Sequence, residues 1–487
     1  MIWVILGGFF TLFMAVALTL GMVPAALMTA AIFLVVILTL RPSLSVYLAM
    51  ILGLTAFPAF IPYRAQLGST TIFLFEPFLA VAAVWALATH KAPWVAKRRP
   101  IWIGLLIVAW ALAGLFQKHP TIEVIGDSRG LLSVVLAVIV ASRLYGSPHG
   151  KTALKVLLVS LWVSLVVTLA AAALHFPIAG RSEATALFLN SSGAGSSEST
   201  RFLTAASEIS VLVAAASLAL MISGRVPIRL ALPYLIPSLT IVFLGFSRNS
   251  FVALGVTLVF AVLAARTMKP VAVAVKVAVF AGFPILILSL AHMSFGIPGG
   301  DFVVTQIEGF MSRVVGGLDA STISDDTSAI ARMNEDAYLM QGISQSPFYG
   351  HGFGYAYRLP VGPPGSFSAT KGQYYGHNFY LWLTVKTGLV GMAIFVGVFI
   401  LPVLRSLRGG SNAVIGLGAA AAGLLTSMVF APFPNDVSNG GSLSVGLLFG
   451  ALFAALSADK PAKAEIEPNL KRLNLPPTYK HLVKSKL

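Results

Sequence analysis

Residues 376–404 read GHNFYLWLTVKTGLVGMAIFVGVFILPVL: a glycine, a histidine and an asparagine, then an apolar run longer than twenty residues. A helix needs about 20 apolar residues to cross the roughly 30 Å hydrocarbon layer at 1.5 Å per residue. This run is therefore a membrane span with a titratable side chain, His377, at its mouth. Polar and ionisable groups at such positions mark functional sites, because leaving them there is costly.

About fourteen runs of this kind follow one another along the chain, near 2–20, 22–40, 43–62, 71–90, 101–117, 125–142, 154–175, 203–223, 230–246, 251–266, 272–292, 378–404, 413–431 and 442–456. The composition agrees: of 487 residues, 57% are hydrophobic and only 10% charged, and mean hydropathy is +0.88. The expected fold class is an all-α polytopic membrane protein with about 12–14 transmembrane helices. The N-terminus, Met1-Ile2-Trp3-Val4, lacks a basic leader, and its apolar sequence runs on to Leu40. It reads as retained in the membrane, not cleaved. There is no cysteine, so disulfides, thiolate zinc sites and a thiol nucleophile are excluded.

The net charge of +16 is chiefly a topology signal. One alternate set of loops is basic: Lys91, Lys97, Arg98 and Arg99; Arg143 and Lys151; Arg225 and Arg229; Arg266 and Lys269; Arg405 and Arg408; and the tail after Leu456. By the positive-inside rule these loops and both termini face the cytoplasm. The basic tail also suits anionic membrane lipid, and no nucleic-acid partner is expected. The organisation is then residues 1–292 as about eleven helices with short outer loops, 293–376 as a large periplasmic loop, 377–456 as C-terminal helices, and 457–487 as a basic cytoplasmic tail.

In the large loop, Asp325 or Asp326 reads as the N-cap of a helix from about Thr327 to Ile343, with Ile330, Met333, Ala337 and Met340 as its buried stripe. Phe302, Val303, Ile307, Phe310 and Val314 form a similar stripe earlier. The Ser/Gly run 191–197 reads as flexible. No internal repeat is visible.

Three basic residues stand out on the outer side. His377 suits a general base, since its ordinary pKa lies near neutrality; its bland reading is a helix-start histidine capped by its neighbours. Arg248, in Phe246-Ser247-Arg248-Asn249-Ser250 between two spans, has a planar fork that matches phosphate; the bland reading is snorkelling. Arg332 lies three and four residues before Glu335 and Asp336, and a helical ion pair would explain it. Asp127 and Arg129 could pair with each other at a membrane entry, Arg201 and Glu208 share a helix face, and Glu76 sits inside a run and needs a partner. Lys371 could hold an anion, and Tyr374 or Tyr375 a sugar ring. Asn378 joins the binding set. Asp325-Asp326 is a cap before it is a metal site; no metal and no cofactor are expected. Basic groups without a carboxylate or thiol nucleophile suit a diphosphate leaving group and an activated hydroxyl.

The stretch from Arg332 to Gly391 resembles the O-antigen ligase and polymerase family of bacterial envelope glycosyltransferases. Four pieces carry the resemblance: Ser247-Arg248-Asn249-Ser250; Arg332 followed by Ser346-Pro347-Phe348-Tyr349-Gly350-His351-Gly352-Phe353-Gly354; His377-Asn378-Phe379-Tyr380-Leu381; and Gly388-Leu389-Val390-Gly391. It implies a GT-C-like enzyme of the bacterial inner membrane. Such an enzyme moves a glycan from undecaprenyl diphosphate to an acceptor hydroxyl at the periplasmic face, with neither metal nor nucleotide sugar. Carried over by position, Arg248 and Arg332 hold the diphosphate and His377 serves the acceptor. Beside that carry-over, the reading of the residues themselves adds Arg129, Arg201, Lys371, Tyr375 and Asn378 to the expected binding set. The ligase pattern of histidine with glycine eleven positions on is met by His377 and Gly388. The pattern of arginine with leucine four on is not, because Val252 follows Arg248. The reading leans to a ligase with lipid A core as acceptor, inverting, with a polymerase as the alternative. A transporter would instead place its charges at mid-membrane, and a scaffold would not need Arg248, Arg332 and His377 to converge.

Overall fold

In the computed structural model the described residues are 36, 38–61, 63–67, 70–90, 94–174, 176–183, 201–265, 272, 300–311, 314, 327–363, 367–433 and 440–459. The expected spans near 2–20 and 272–292, most of 22–40, the 191–197 run, the caps Asp325 and Asp326, and the tail lie outside them.

Apolar runs become helices because only a helix satisfies its own backbone polar groups in hydrocarbon. The elements are α1 (Leu44–Leu54), the hairpin β1 (Arg64–Leu67) and β2 (Thr70–Phe73), α2 (Phe75–Thr89), α3 (Trp94–Phe116), α4 (Thr121–Leu144) and α5 (Pro148–Leu174). The pair β3 (Arg181–Glu183) and β4 (Arg201–Leu203), α6 (Ala205–Ile222), α7 (Ile228–Leu244) and α8 (Arg248–Ala265) follow. The loop helices are α9 (Gly300–Phe310), α10 (Thr327–Gln345) and the single turn α11 (Phe367–Thr370). The chain closes with α12 (Phe379–Phe395), α13 (Asn412–Ser427) and α14 (Gly441–Ala458). Through a π turn, Val396–Ile400, α12 runs on to Ser406. Among the described residues seven helices are long and apolar enough to cross a membrane, and four shorter apolar ones accompany them. The chain is an all-α polytopic membrane protein. Among the described residues the strands form two short antiparallel pairs, Arg64↔Phe73 and Arg181↔Leu203 in register, where the sequence predicted only part of a span from 71.

Small residues set the closest helix approach. A Cβ on Gly446 or Gly450 of α14 would lie 2.6 Å from the carbonyl oxygen of Val134 or Val138 in α4. Glycines four apart let the backbones meet. The matched order (446 on 134, 450 on 138) makes α4 and α14 parallel. By contrast α8 and α13 are antiparallel: Gly423 meets Ala253, and Thr257 Oγ1 donates to Ala419 O at 3.3 Å. The helices therefore share two ends. One end collects the starts of α4, α8, α12 and α14; the other carries the basic Arg143, Arg225, Arg229, Arg405 and Arg408.

On α10 the structure corrects the expected face. Ile330, Met333, Ala337 and Met340 are exposed, while Glu335, Leu339 and Gly342 turn inward against α12 and Tyr357. The apolar stripe predicted a core that the polar face occupies, because the burial of Glu335 is supported by hydrogen-bonding partners. The earlier stripe fares better: Phe310 of α9 packs on Phe243 and Phe251 at ring distances of 4.8 and 5.0 Å.

Candidate functional site

The site end is organised around a broken helix. Gly388 of α12 has φ +66 and ψ −172, a conformation that glycine alone adopts readily. The break frees backbone groups in mid-span, and the segment 347–354 takes them up. His351 N donates to Val385 O (3.0 Å) and Gly352 N to Lys386 O (2.8 Å); Leu389 N donates to Pro347 O (2.8 Å) and Val390 N to Phe348 O (3.2 Å). On its other side Phe353 N donates to Trp110 O and the indole of Trp110 to Tyr349 O. Gly350, Gly352 and Gly354 all have positive φ and lie against the backbones of Lys386, Gly114 and Val124. The Gly-His-Gly-Phe-Gly motif is thus a strap laid into a helix break, and both glycine motifs build the fold.

The first turns of α4 tie three segments to this strap. Glu123 takes Lys371 Nζ at 2.7 Å. Asp127 accepts from Lys386 Nζ at 2.7 Å and from Gly354 N at 2.6 Å, while Lys386, fully buried, also donates to Tyr355 O. Arg129 forms an ion pair with Glu76 and donates to Thr71 O. The expected Asp127–Arg129 pair is therefore replaced by two others, since side chains two apart on a helix point to different faces. Glu76 has the partner its position demanded. Lys386, the one charge in the quoted span, was missed; an ionisable residue at that depth is itself a signal for a buried partner.

His377 stands where α10 meets the start of α12. Its backbone N–H donates to Glu335, and its ring Nδ1 lies 3.2 and 3.1 Å from the two Glu335 carboxylate oxygens. The Glu335 side chain is 4% exposed and that of His377 38%. Arg358 backs the carboxylate at 3.8 Å and donates Nε to Gly372 O. Tyr375 meets the His377 ring edge-on at 5.2 Å. Tyr357 donates its hydroxyl toward Gly372 O and Tyr375 O, and burial, helped by Glu335, pushes its phenol well above the ordinary range. Asn378 caps α12 through Leu381 N and also hydrogen-bonds Asp336. Burial raises the Asp336 carboxyl, Glu335 adds to that, and Asn378, His377 and Arg332 oppose it.

Glu335 and Arg358 were missed as site residues. The sequence offered Glu335 as an ion-pair partner of Arg332, but it turns to His377 instead. Arg332 is exposed one turn away, within the electrostatic reach of Asp336. Arg248 begins α8 after a turn in which Phe246, fully buried, has φ +42, a strained value for a bulky residue. Arg201 lies on β4, not on the helix with Glu208, and donates Nε to Gly245 O of that turn at 2.9 Å. Continuing the α8–α13 register from Ala253 and Gly423 by five residues, about 7.5 Å, brings Arg248 level with Met428. Met428 O accepts from Phe379 N. Arg248 and His377 thus share one membrane end. Among the described residues no cluster of three or more His, Cys, Asp or Glu could hold a metal ion.

Residues 233–396 match the family model described as O-antigen ligase. Over that segment the chain is similar to the O-antigen ligase family. The segment extends from within α7 to the end of α12 and so contains Arg248, Arg332, Glu335, Arg358, His377 and the strap, while Arg129, Arg201 and Lys386's partner Asp127 lie before it. The match supports a membrane enzyme of the O-antigen ligase or polymerase type. No curated protein matches the chain.

Proposed function

We propose that the chain transfers a glycan from an undecaprenyl-diphosphate carrier to an acceptor hydroxyl at the periplasmic face of the bacterial inner membrane, with both termini cytoplasmic. The acceptor proposed is lipid A core, which makes it an O-antigen ligase. The observation that carries the reading is the His377 imidazole, half-open to solvent and held through Nδ1, at the same membrane end as Arg248. An imidazole fixed in this way keeps Nε2 for a hydroxyl proton. Arg248 and Arg332 supply forks for the diphosphate, which is already a good leaving group, so charge neutralisation and positioning are what the protein must add. Arg201, anchored on Gly245 O in the turn that precedes Arg248, belongs with them. Arg129 and Lys371 act in this scheme by holding Glu76 and Glu123, and Asn378 by capping α12.

The acceptor oxygen attacks the anomeric carbon as Nε2 takes its proton, the bond to the diphosphate breaks, and the pair of electrons leaves with the diphosphate. One displacement inverts the anomeric centre, and no metal is used. The test is transfer by purified protein in lipid from an undecaprenyl-diphosphate oligosaccharide, with lipid A core and a second lipid-linked glycan offered together. Product on lipid A core, lost in His377→Ala, supports the ligase. Growth of the lipid-linked glycan makes it a polymerase. Transfer to neither, with folded protein, refutes the reading.

A further inference from the structure

The geometry points to Glu335 as the positioning residue of His377: a buried carboxylate that holds the imidazole in the Nδ1–H tautomer and aims Nε2 out of the protein. This deepens the transfer reading and rests on it for its catalytic consequence, though not for the tautomer.

Three observations carry the assignment. The first is that both carboxylate oxygens lie within hydrogen-bond distance of Nδ1, and one also accepts the His377 backbone N–H. The ring and its own backbone are thus gripped by one group, leaving little rotational freedom about the side chain. A carboxylate accepts and cannot donate when ionised, so Nδ1 carries the proton and Nε2 has the lone pair. The second is burial: the Glu335 side chain is 4% exposed. A carboxylate so placed is costly unless paired, and a helix surface would not bury it for an ion pair with Arg332, which remains exposed. The third is that Arg358 approaches from the far side at 3.8 Å and is itself anchored on Gly372 O. Glu335 is therefore held between a cation and the imidazole, as a base-orienting carboxylate must be. When Nε2 takes the acceptor proton, the imidazolium charge forms directly against Glu335, and the proton leaves from Nε2 to solvent afterwards. Glu335 remains ionised throughout.

The charged and titratable groups facing this pair are Arg332 and Asp336 on α10, Tyr357 and Arg358 on the segment after the strap, and Tyr375 before α12.

The test compares wild type with Glu335→Gln and Glu335→Asp. The glutamine is nearly isosteric and can still accept from Nδ1, so folding is followed separately by thermal unfolding. The expected result for Glu335→Gln is a turnover loss of about 10²–10⁴-fold, with partial rescue in Glu335→Asp. A turnover loss that only tracks the unfolding temperature, with no rescue in Glu335→Asp, would make Glu335 structural and overturn the assignment. An independent readout is nitrogen NMR of histidine-labelled protein, with the His377 signal assigned by its loss in His377→Ala. Wild type is expected to show the Nδ1–H tautomer, and Glu335→Ala a mixture weighted to Nε2–H. The same tautomer in both overturns the inference even if transfer is observed. The expected tautomer change in a chain that transfers no glycan leaves Glu335 as the orienter of His377 and refutes the transfer reading instead.

Discussion

Gly388→Ala tests the strap directly. The substituted residue would keep φ +66 and ψ −172, a region nearly closed to side chains, at a cost of about 1–3 kcal/mol. Its Cβ would also press on the Phe348 carbonyl and lie 2.5 Å from Tyr349 N. Both neighbours are backbone and cannot rotate away, so the strap must lift. Lifting it breaks four backbone hydrogen bonds, to Val385 O, Lys386 O, Pro347 O and Phe348 O, each worth a net of about 0.5–1.5 kcal/mol. The combined loss, roughly 3–9 kcal/mol, is comparable to the whole stability of a typical domain. The control is Gly397→Ala in the same span, where an added Cβ meets nothing within 4 Å and φ is not positive. Removing a helical glycine there is worth up to about 1 kcal/mol. Thermal unfolding of the two purified variants in lipid, with wild type alongside, reads the difference. Gly388→Ala is expected to unfold far below wild type and Gly397→Ala at or above it. Equal unfolding temperatures for the two alanines would refute the strap as a clamp.

Further outcomes follow from the charges. Lys386→Met strands Asp127 in the interior, a loss of about 3–5 kcal/mol, and adding Asp127→Asn recovers part of it, because the amide still accepts from Gly354 N; strictly additive losses in the thermal midpoint would exclude the pair. Arg332→Lys is expected to reduce glycan transfer nearly as far as Arg332→Ala, since a point charge does not reproduce a guanidinium fork; near-normal turnover in the lysine variant would leave Arg332 a surface residue. Asp336 has a folded pKa raised by burial. Its stabilising contribution is present below the unfolded pKa and lost as pH rises through the folded one. The thermal midpoint of Asp336→Asn is therefore expected to gain on wild type as pH rises from about 4 to neutrality, and a gap that narrows over that range refutes the sign.

Most of the architecture was legible in the sequence, because a bilayer imposes one local rule, an apolar run of helix length. The ends of α4, α6, α8 and α14 fall within about four residues of their runs for that reason, and the loop helix expected over 327–343 occupies Thr327–Gln345. His377, Arg248 and Arg332 were legible as rare polar groups at one membrane end. What the sequence withheld was pairing. Whether Asp127 meets Arg129 or Lys386 depends on which helix face lies against α12, and hydropathy is silent on rotation in a helix apolar all round. The inward face of α10 was misread for a related reason. Periodicity predicted burial of Met333 and Met340, whereas His377 and Arg358 made burial of Glu335 the better arrangement. The glycines of 350–354 and Gly388 were noticed as a motif, but nothing local says that one fills the break made by the other.

The strap has a consequence for biosynthesis. Its first wall, Trp110 and Asp127, leaves the ribosome more than two hundred residues before the strap does, at separations of 239 and 227 residues. Its second wall, Val385 to Val390, is made afterwards. Closing contacts of such separation is entropically slow, and here it also waits for a helix still to be inserted. The helices up to α8 can settle in the bilayer as the chain is made, but α10 and the Glu335–His377 pair can lock only once α12 has entered and broken at Gly388. A growing chain is a membrane bundle long before it has an assembled site.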